Sequence, residues 1–204
     1  MILRQLEQRQ FILPVGLGPS PAYQWRFVNK SAGAFGNNPD LLCPFFAKGT
    51  GGCGVWRLRS SECRSYFCQS EQGEAGERFW RAFNEFLFFV EVNLSQEYLL
   101  LTGFLPVDFK SQMALLKRLE FKSGDGQNWC LSDWEHQRIW DHWLGREREF
   151  LLGAYSWVQG LRPKDWEREF AREARPYVDG VVQAYRRCSW KAKSPRPVGL
   201  PARP

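Results

Sequence analysis

The chain has 204 residues, of which 44 per cent are hydrophobic and 25 per cent are charged, proportions that are ordinary for a globular protein. This length allows one full domain, or a small module joined to a larger helical one. No apolar run approaches the roughly 20 residues that a membrane-spanning helix needs, because Glu85 and Glu91 interrupt the longest one. The sequence therefore predicts a protein that does not span a membrane.

The net charge of +6 lies mostly at the end of the chain. Residues 189–204 contain four basic side chains and four prolines but no acid, which leaves a net charge of +2 for the other 188 residues. Such a balance is not the footprint of a basic nucleic-acid-binding face. The tail itself is predicted to be disordered or polyproline-like, and it is the part that keeps nucleic acid among the candidate partners.

Four of the six cysteines lie close together, in the run CPFFAKGTGGCGVWRLRSSECRSYFC. Their spacing is C-x9-C-x9-C-x4-C. Thiolates are good ligands for zinc and for iron–sulfur clusters, and four of them from one short segment can complete a single tetrahedral or cluster site. The predicted metal ligands are Cys43, Cys53, Cys63 and Cys68.

Glycine and arginine are interleaved with these cysteines. Glycines at positions 49, 51, 52 and 54 surround Cys53, where they allow tight turns and a close approach of backbone N–H groups to sulfur. Arg59 and Arg64 lie among the later cysteines, and fixed cations there would offset the negative charge of four thiolates. Both arginines are therefore predicted to lie beside the bound cofactor.

The order of these residues resembles bacterial cysteine-cluster proteins of the YkgJ type, which are described as zinc- or iron-chelating domains. The matching residues are Cys43-Pro44-Phe45, Cys53-Gly54-Val55-Trp56, Arg59 and Cys63-Arg64. Ser60 stands where that family usually has proline, and residues 1–42 lack the upstream cysteine group that relatives commonly have. The resemblance is limited to residues 43–68 and implies a metal or iron–sulfur site.

Two other fates of the cysteines are disulfide bonds in an exported protein and a chance cluster of buried thiols. The N-terminal residues MILRQLEQRQ are polar and charged and lack the apolar core of an export signal, so we expect a cytoplasmic protein. Structural zinc usually takes paired C-x2-C knuckles, whereas iron–sulfur clusters accept irregular spacings. A [4Fe–4S] cluster is therefore favoured, with zinc as the alternative.

The rest of the chain has a helical pattern. Apolar residues recur at helical spacing in four stretches, which are residues 77–94, 113–119, 132–160 with a break at Gly145 or Gly153, and 163–187. Ser132 and Glu135 form a capping-box pattern at the third start. Pro176 is expected to kink or restart the fourth helix.

These elements predict a mainly α-helical fold, in which a small irregular cysteine-rich metal-binding module packs against an antiparallel helical bundle. Short strands over residues 11–15 and 23–28 are compatible with this module. The predicted divisions are an N-terminal segment with the module over residues 1–72, a helical domain over 73–188 and a disordered basic tail over 189–204.

No catalytic set is evident in the sequence. His136 and His142 lie six residues apart, about 240° around a helix, so one helix cannot present both to one metal ion. Cys130 is interpreted as an inert buried thiol rather than as a nucleophile. Cys188 is interpreted as a helix-end thiol rather than as a fifth metal ligand. Phosphate-binding, zinc-protease and nucleophile-elbow motifs are missing.

The sequence therefore predicts a metal-binding protein whose reaction is unknown. One alternative is an iron–sulfur-dependent redox or group-transfer enzyme, by analogy with related cluster proteins that are linked to protein lysine methylation. The other is a zinc-stabilised adaptor that binds RNA or protein through its aromatic residues and its basic tail. The partner or substrate is not identified by any of these readings.

Overall fold

A computed structural model describes residues 6, 7, 9, 12–17, 38, 41–43, 45–65, 72–119 and 131–188. This part of the chain is mainly helical, as predicted. Its six α-helices are α1 (Ser61–Ser65), α2 (Gly73–Leu101), α3 (Pro106–Leu119), α4 (Asp133–Trp140), α5 (Glu147–Gly160) and α6 (Pro163–Arg186). None of the helices described is long and apolar enough to cross a membrane.

The strands are short and form two separate antiparallel hairpins. They are β1 (Ile12–Leu13), β2 (Gly16–Leu17), β3 (Phe46–Ala47) and β4 (Gly52–Cys53). The strand predicted within residues 11–15 is thus present as β1, while the one predicted over residues 23–28 lies outside the described residues. The predicted disordered tail also lies outside them.

The third predicted helix is divided at one of the two glycines considered. Between α4 and α5 the chain forms a 3-10 turn over Asp141–Trp143, and Gly145 then has a φ of +78°, a conformation that favours glycine. The capping box at the start of α4 is confirmed, because Ser132 Oγ accepts from Glu135 N at 3.2 Å and Glu135 Oε2 accepts from Ser132 N at 3.0 Å.

The last helix does not restart at Pro176, and a kink there, the other expected outcome, stays a prediction. Helix α6 continues through the proline for 24 residues in all. A proline inside a helix removes one backbone hydrogen bond. Ala174, two residues before the proline, and Ala184, eight residues after it, are buried, so α6 is packed on both sides of the missing bond.

The chain divides into two compact units, residues 1–59 with 91–170 and residues 60–90 with 171–204. Helices α2 and α6 each contribute residues to both units. The division predicted at residue 72 stays a prediction.

The core of the first unit is built around Phe150 on α5, which is only 1% exposed. Its ring centroid lies 5.0 Å from Tyr98, 5.3 Å from Trp143, 5.6 Å from Trp140 and 5.9 Å from Phe104, each in an edge-on arrangement. Such geometry places the positive ring edge against a negative ring face. The aliphatic residues that complete this core are Ile12, Leu13, Leu99, Leu131 and Ile139.

Tyr98 explains why α5 contains a glycine. The hydroxyl of Tyr98 donates to the carbonyl of Phe150 at 3.2 Å, and a Cβ atom at position 153 would collide with that hydroxyl. Burial and, to a smaller extent, the charge of Glu149 raise the pKa of Tyr98. Gly153 therefore provides clearance inside a continuous helix and does not break it.

A hydrogen bond between two largely buried side chains spans the break between α4 and α5. His136 Nε2 lies 3.1 Å from Glu147 Oε1, and the side chains are 8% and 14% exposed, respectively. Burial alone would raise the pKa of Glu147, but the backbone N–H groups of Gly145 and of Glu147 itself, together with His136, donate to the carboxylate and lower its pKa. The carboxylate thus holds the turn of the break in place.

His142 forms a second, more exposed connection in the same turn. Its Nε2 donates to the carbonyl of Thr102 at 2.8 Å, and its Nδ1 lies 3.2 Å from Asp141 Oδ2. Trp143 Nε1 donates to the same Thr102 carbonyl at 3.0 Å. Both ring nitrogens face oxygen acceptors, which favour the protonated ring. The Thr102 carbonyl raises the pKa of His142 most, and the Asp141 carboxylate raises it further.

In the second unit, parts of α2 and α6 form an antiparallel pair. Phe79 packs against Tyr185 with ring centroids 5.8 Å apart, and Phe89 stacks on Tyr177 at 4.6 Å. The residue numbers rise on one helix as they fall on the other, so the helices run in opposite directions. Cys188 lies just beyond α6, where its buried thiol donates to the carbonyl of Ala75 at 3.3 Å, as expected of a helix-end thiol.

Replacing Phe150 with alanine is expected to lower the free energy of unfolding by about 3–5 kcal/mol, because it empties the centre of the aromatic core. Urea unfolding followed by tryptophan fluorescence measures the change. The matched control is Leu152→Ala, two residues further along α5 and 56% exposed, which should change the free energy by less than about 1 kcal/mol. Similar losses in the two variants would contradict this account of the core.

The raised pKa of His142 predicts that stability depends on pH. Protonated His142 stabilises the fold below its ordinary pKa of 6.5, and this contribution is lost as the pH rises through the higher pKa of the folded state. The variant His142→Gln should therefore lose more unfolding free energy at about pH 5.5 than at about pH 8.5. Urea titrations of both proteins at the two pH values test this, and a pH-independent difference would refute it.

Candidate functional site

Two of the predicted metal ligands lie at one hairpin in the first unit, Cys53 on β4 and Cys43 three residues before β3. In the antiparallel register of β3 and β4, Phe46 pairs with Cys53. The N–H group of Phe46 donates to the carbonyl of Cys43 at 2.9 Å, and that of Gly54 donates to the carbonyl of Phe45 at 2.8 Å. The backbone of Cys43 is therefore one hydrogen bond away from the residue that faces Cys53.

The glycines of this hairpin form the tight turn that the sequence predicted. The N–H groups of Thr50 and Gly51 both donate to the carbonyl of Ala47, at 3.1 and 2.9 Å. Gly51 has a φ of +65°, which favours glycine. A Cβ atom at Gly54 would lie 3.2 Å from the carbonyl oxygen of Phe45, so the backbones approach closely there.

The thiols of this hairpin are available for ligation. Cys43 and Cys53 are free cysteines, and each is half-buried. A thiol that is partly shielded but still accessible can lose its proton to a metal. Cys68 and Cys130 lie outside the described residues.

Cys63 lies in the second unit, on α1. Ser61 and Ser65 are buried on one face of this short helix, and Ser65 Oγ donates to the carbonyl of Ser61 at 2.7 Å. Cys63 is exposed, as expected for a residue two positions from each serine and hence on the other face. Asn84 Nδ2 donates to Glu62 Oε1 at 3.0 Å and attaches α1 to α2.

The two predicted second-sphere cations occupy different settings. Arg59 belongs to the first unit, where its Cζ lies 3.5 Å from the ring centroid of Trp56 and its Nε donates to the Trp56 carbonyl at 3.1 Å. Arg64 is exposed on α1, beside Cys63. Their roles beside a metal stay predictions.

Within the described ranges, no three or more His, Cys, Asp or Glu side chains are grouped so that they could hold a metal ion. Cys68 lies outside those ranges. The four-cysteine site therefore stays a prediction, and the hairpin pair is the part of it whose backbone geometry is known.

The buried pair of His136 and Glu147 could not be found from sequence spacing. The two residues lie eleven positions apart, and they meet only because the chain breaks between α4 and α5. His136 Nδ1 and Trp140 Nε1 are both buried without a hydrogen-bond partner among the described residues. These atoms lie in the core, so we assign the pair a structural role.

An open groove of about 590 Å³ runs along the first turns of α5. Two of its charged residues already neutralise each other, because Arg146 Nε donates to Glu149 Oε2 at 2.9 Å. The guanidinium of Arg146 also lies 4.5 Å from the ring centroid of Trp143. Arg146 and Glu149 are thus held by each other in this groove, and we do not assign a catalytic role to its lining residues.

Comparisons of the chain with models of protein families, with curated proteins and with solved structures gave no match. The resemblance of residues 43–68 to YkgJ-type proteins accordingly stays a prediction.

Proposed function

We propose that this chain is a metal-binding protein whose site lies in the cysteine-rich segment, with a [4Fe–4S] cluster as the favoured occupant and zinc as the alternative. The proposed ligands are Cys43, Cys53, Cys63 and Cys68. The observation that carries the proposal is the β3–β4 hairpin, which connects the backbones of Cys43 and Cys53 through Phe46 and leaves both thiols free.

The charge of the hairpin supports thiolate ligands. Residues 41–59 contain Lys48, Arg57 and Arg59 but no acidic residue, so the segment has a net charge of +3. Positive charge near a metal site offsets the negative charge that several thiolates bring to it. A disulfide or an inert core thiol would gain nothing from this arrangement.

The bound group determines what the site could do. An iron–sulfur cluster would supply one-electron redox chemistry, and zinc would supply a structural clasp. In either case the cysteines supply the ligands. The glycines allow the tight turn and the close approach of the backbone at Gly54 to the carbonyl of Phe45.

Protein purified without oxygen is expected to contain about four irons per chain and to absorb broadly in the visible range. Colourless protein with one zinc per chain would support the alternative occupant. Elemental analysis and the absorption spectrum measure both. Wild-type protein that contains neither metal would refute the proposal.

Replacing Cys53 with serine should remove most of the metal, because a serine hydroxyl does not lose its proton to take the place of a thiolate. The matched control is Cys188→Ser, since Cys188 lies outside the segment and its thiol donates to a backbone carbonyl. This control should retain full metal content. Full metal content in Cys53→Ser, with a circular dichroism spectrum like that of the wild type, would contradict the ligand assignment.

A further inference from the structure

An exposed tryptophan follows the cysteine hairpin. Trp56 is 63% exposed, and Phe46 on β3 is 40% exposed. Tryptophan usually gains stability by burying most of its large indole ring. An indole left in solvent therefore suggests a surface that a partner covers.

The indole of Trp56 is held in a defined setting. The guanidinium carbon of Arg59 lies 3.5 Å from its ring centroid, and Arg59 Nε donates to the carbonyl of Trp56. A cation over an indole face is stabilised by the ring quadrupole. Because the backbone hydrogen bond and the ring contact act together, the ring is preordered, which reduces the entropy lost when a ligand stacks on it.

The surroundings of Trp56 are positively charged. Arg57 is its sequence neighbour, Lys48 lies in the hairpin turn, and both side chains are exposed. No acidic residue occurs between positions 41 and 59. A ligand for this surface should therefore combine a flat ring with negative charge.

Trp134 on α4 provides a comparison within the same unit. It is 64% exposed, and the guanidinium carbon of Arg138 lies 5.3 Å from its ring centroid. Its two sequence neighbours, however, are Asp133 and Glu135. Arg9 pairs with Asp133, so charges of both signs surround Trp134, whereas residues 41–59 carry only basic side chains. Of the two indoles, which are almost equally exposed, Trp56 is therefore better suited to an anionic ligand.

We infer that Trp56, together with the basic residues of its segment, Lys48, Arg57 and Arg59, binds an unpaired nucleic acid strand. A base stacks on Trp56, while Lys48 and Arg57 contact phosphates. A duplex does not offer the faces of its bases, and an acidic protein surface would use the cations without the exposed indole. The inference rests on this surface and does not require the proposed metal.

Fluorescence anisotropy of a labelled oligothymidine of about 15 nucleotides, titrated with the full chain, tests the inference. Trp56→Ala should weaken binding at least about fivefold, because one stacked base is lost. Trp134→Ala is the matched control and should remain within about twofold of the wild type. The basic tail is unchanged in both variants, so its own attraction for the oligonucleotide cancels in the comparison.

The cations are tested through salt dependence. The double variant Lys48→Gln/Arg57→Gln should reduce the slope of log binding constant against log salt by about 1.4, since each phosphate contact on a single strand contributes about 0.7. An unchanged slope would mean that these two side chains do not contact phosphates and would overturn their assignment.

Four other results would overturn the inference. They are the absence of binding, equal losses in Trp56→Ala and Trp134→Ala, equal affinity for a duplex of the same length, and equally effective competition by polyglutamate. Metal content measured on the same preparations keeps the two proposals separate. Trp56→Ala should retain the metal content of the wild type while it loses affinity for the oligonucleotide.

Discussion

The first unit depends on the packing of four aromatic rings around Phe150. These rings come from α2, from the α2–α3 connection, from α4 and from the 3-10 turn, so distant parts of the sequence converge on one side chain. A single straight helix over residues 133–160 would separate Trp140 and Phe150 by about 15 Å along its axis, because each residue advances a helix by about 1.5 Å. Their ring centroids lie only 5.6 Å apart. The break at residues 141–145 is therefore required by the core. The carboxylate of Glu147 and the carbonyl of Thr102 then fix the broken segment in position.

Much of the helical structure could be predicted because its signals are local. Periodic apolar residues, the capping box at Ser132 and the glycine at position 145 each act within a few residues of the chain. Trp134 and Trp140 lie about 120° apart around the axis of α4, and they are exposed and buried, respectively. The continuity of α6 through Pro176 and the pairing of His136 with Glu147 could not be predicted, because both depend on tertiary packing.

The candidate site shows the same division between local and distant information. The chemistry of clustered cysteines is visible in the sequence, and so is the glycine-rich turn. The register that pairs Phe46 with Cys53 is not, because a spacing of nine residues fits several arrangements of the chain. The contact between Arg59 and the ring of Trp56 is not evident from the sequence either, because the position of Arg59 among the cysteines points to a role beside the cofactor.

Both proposals involve the β3–β4 hairpin, which has little stability of its own. Strands of two residues form too few hydrogen bonds to be stable alone, so the hairpin needs other restraints. Leu41, which is fully buried, lies shortly before the hairpin, and the Trp56–Arg59 contact lies shortly after it. A metal ion bound by Cys43 and Cys53 would act between these two points and hold both sides of the hairpin together. It would thereby reduce the freedom of the backbone that carries Lys48 and Trp56, so that a structural metal and a stacking surface would support each other on one short segment.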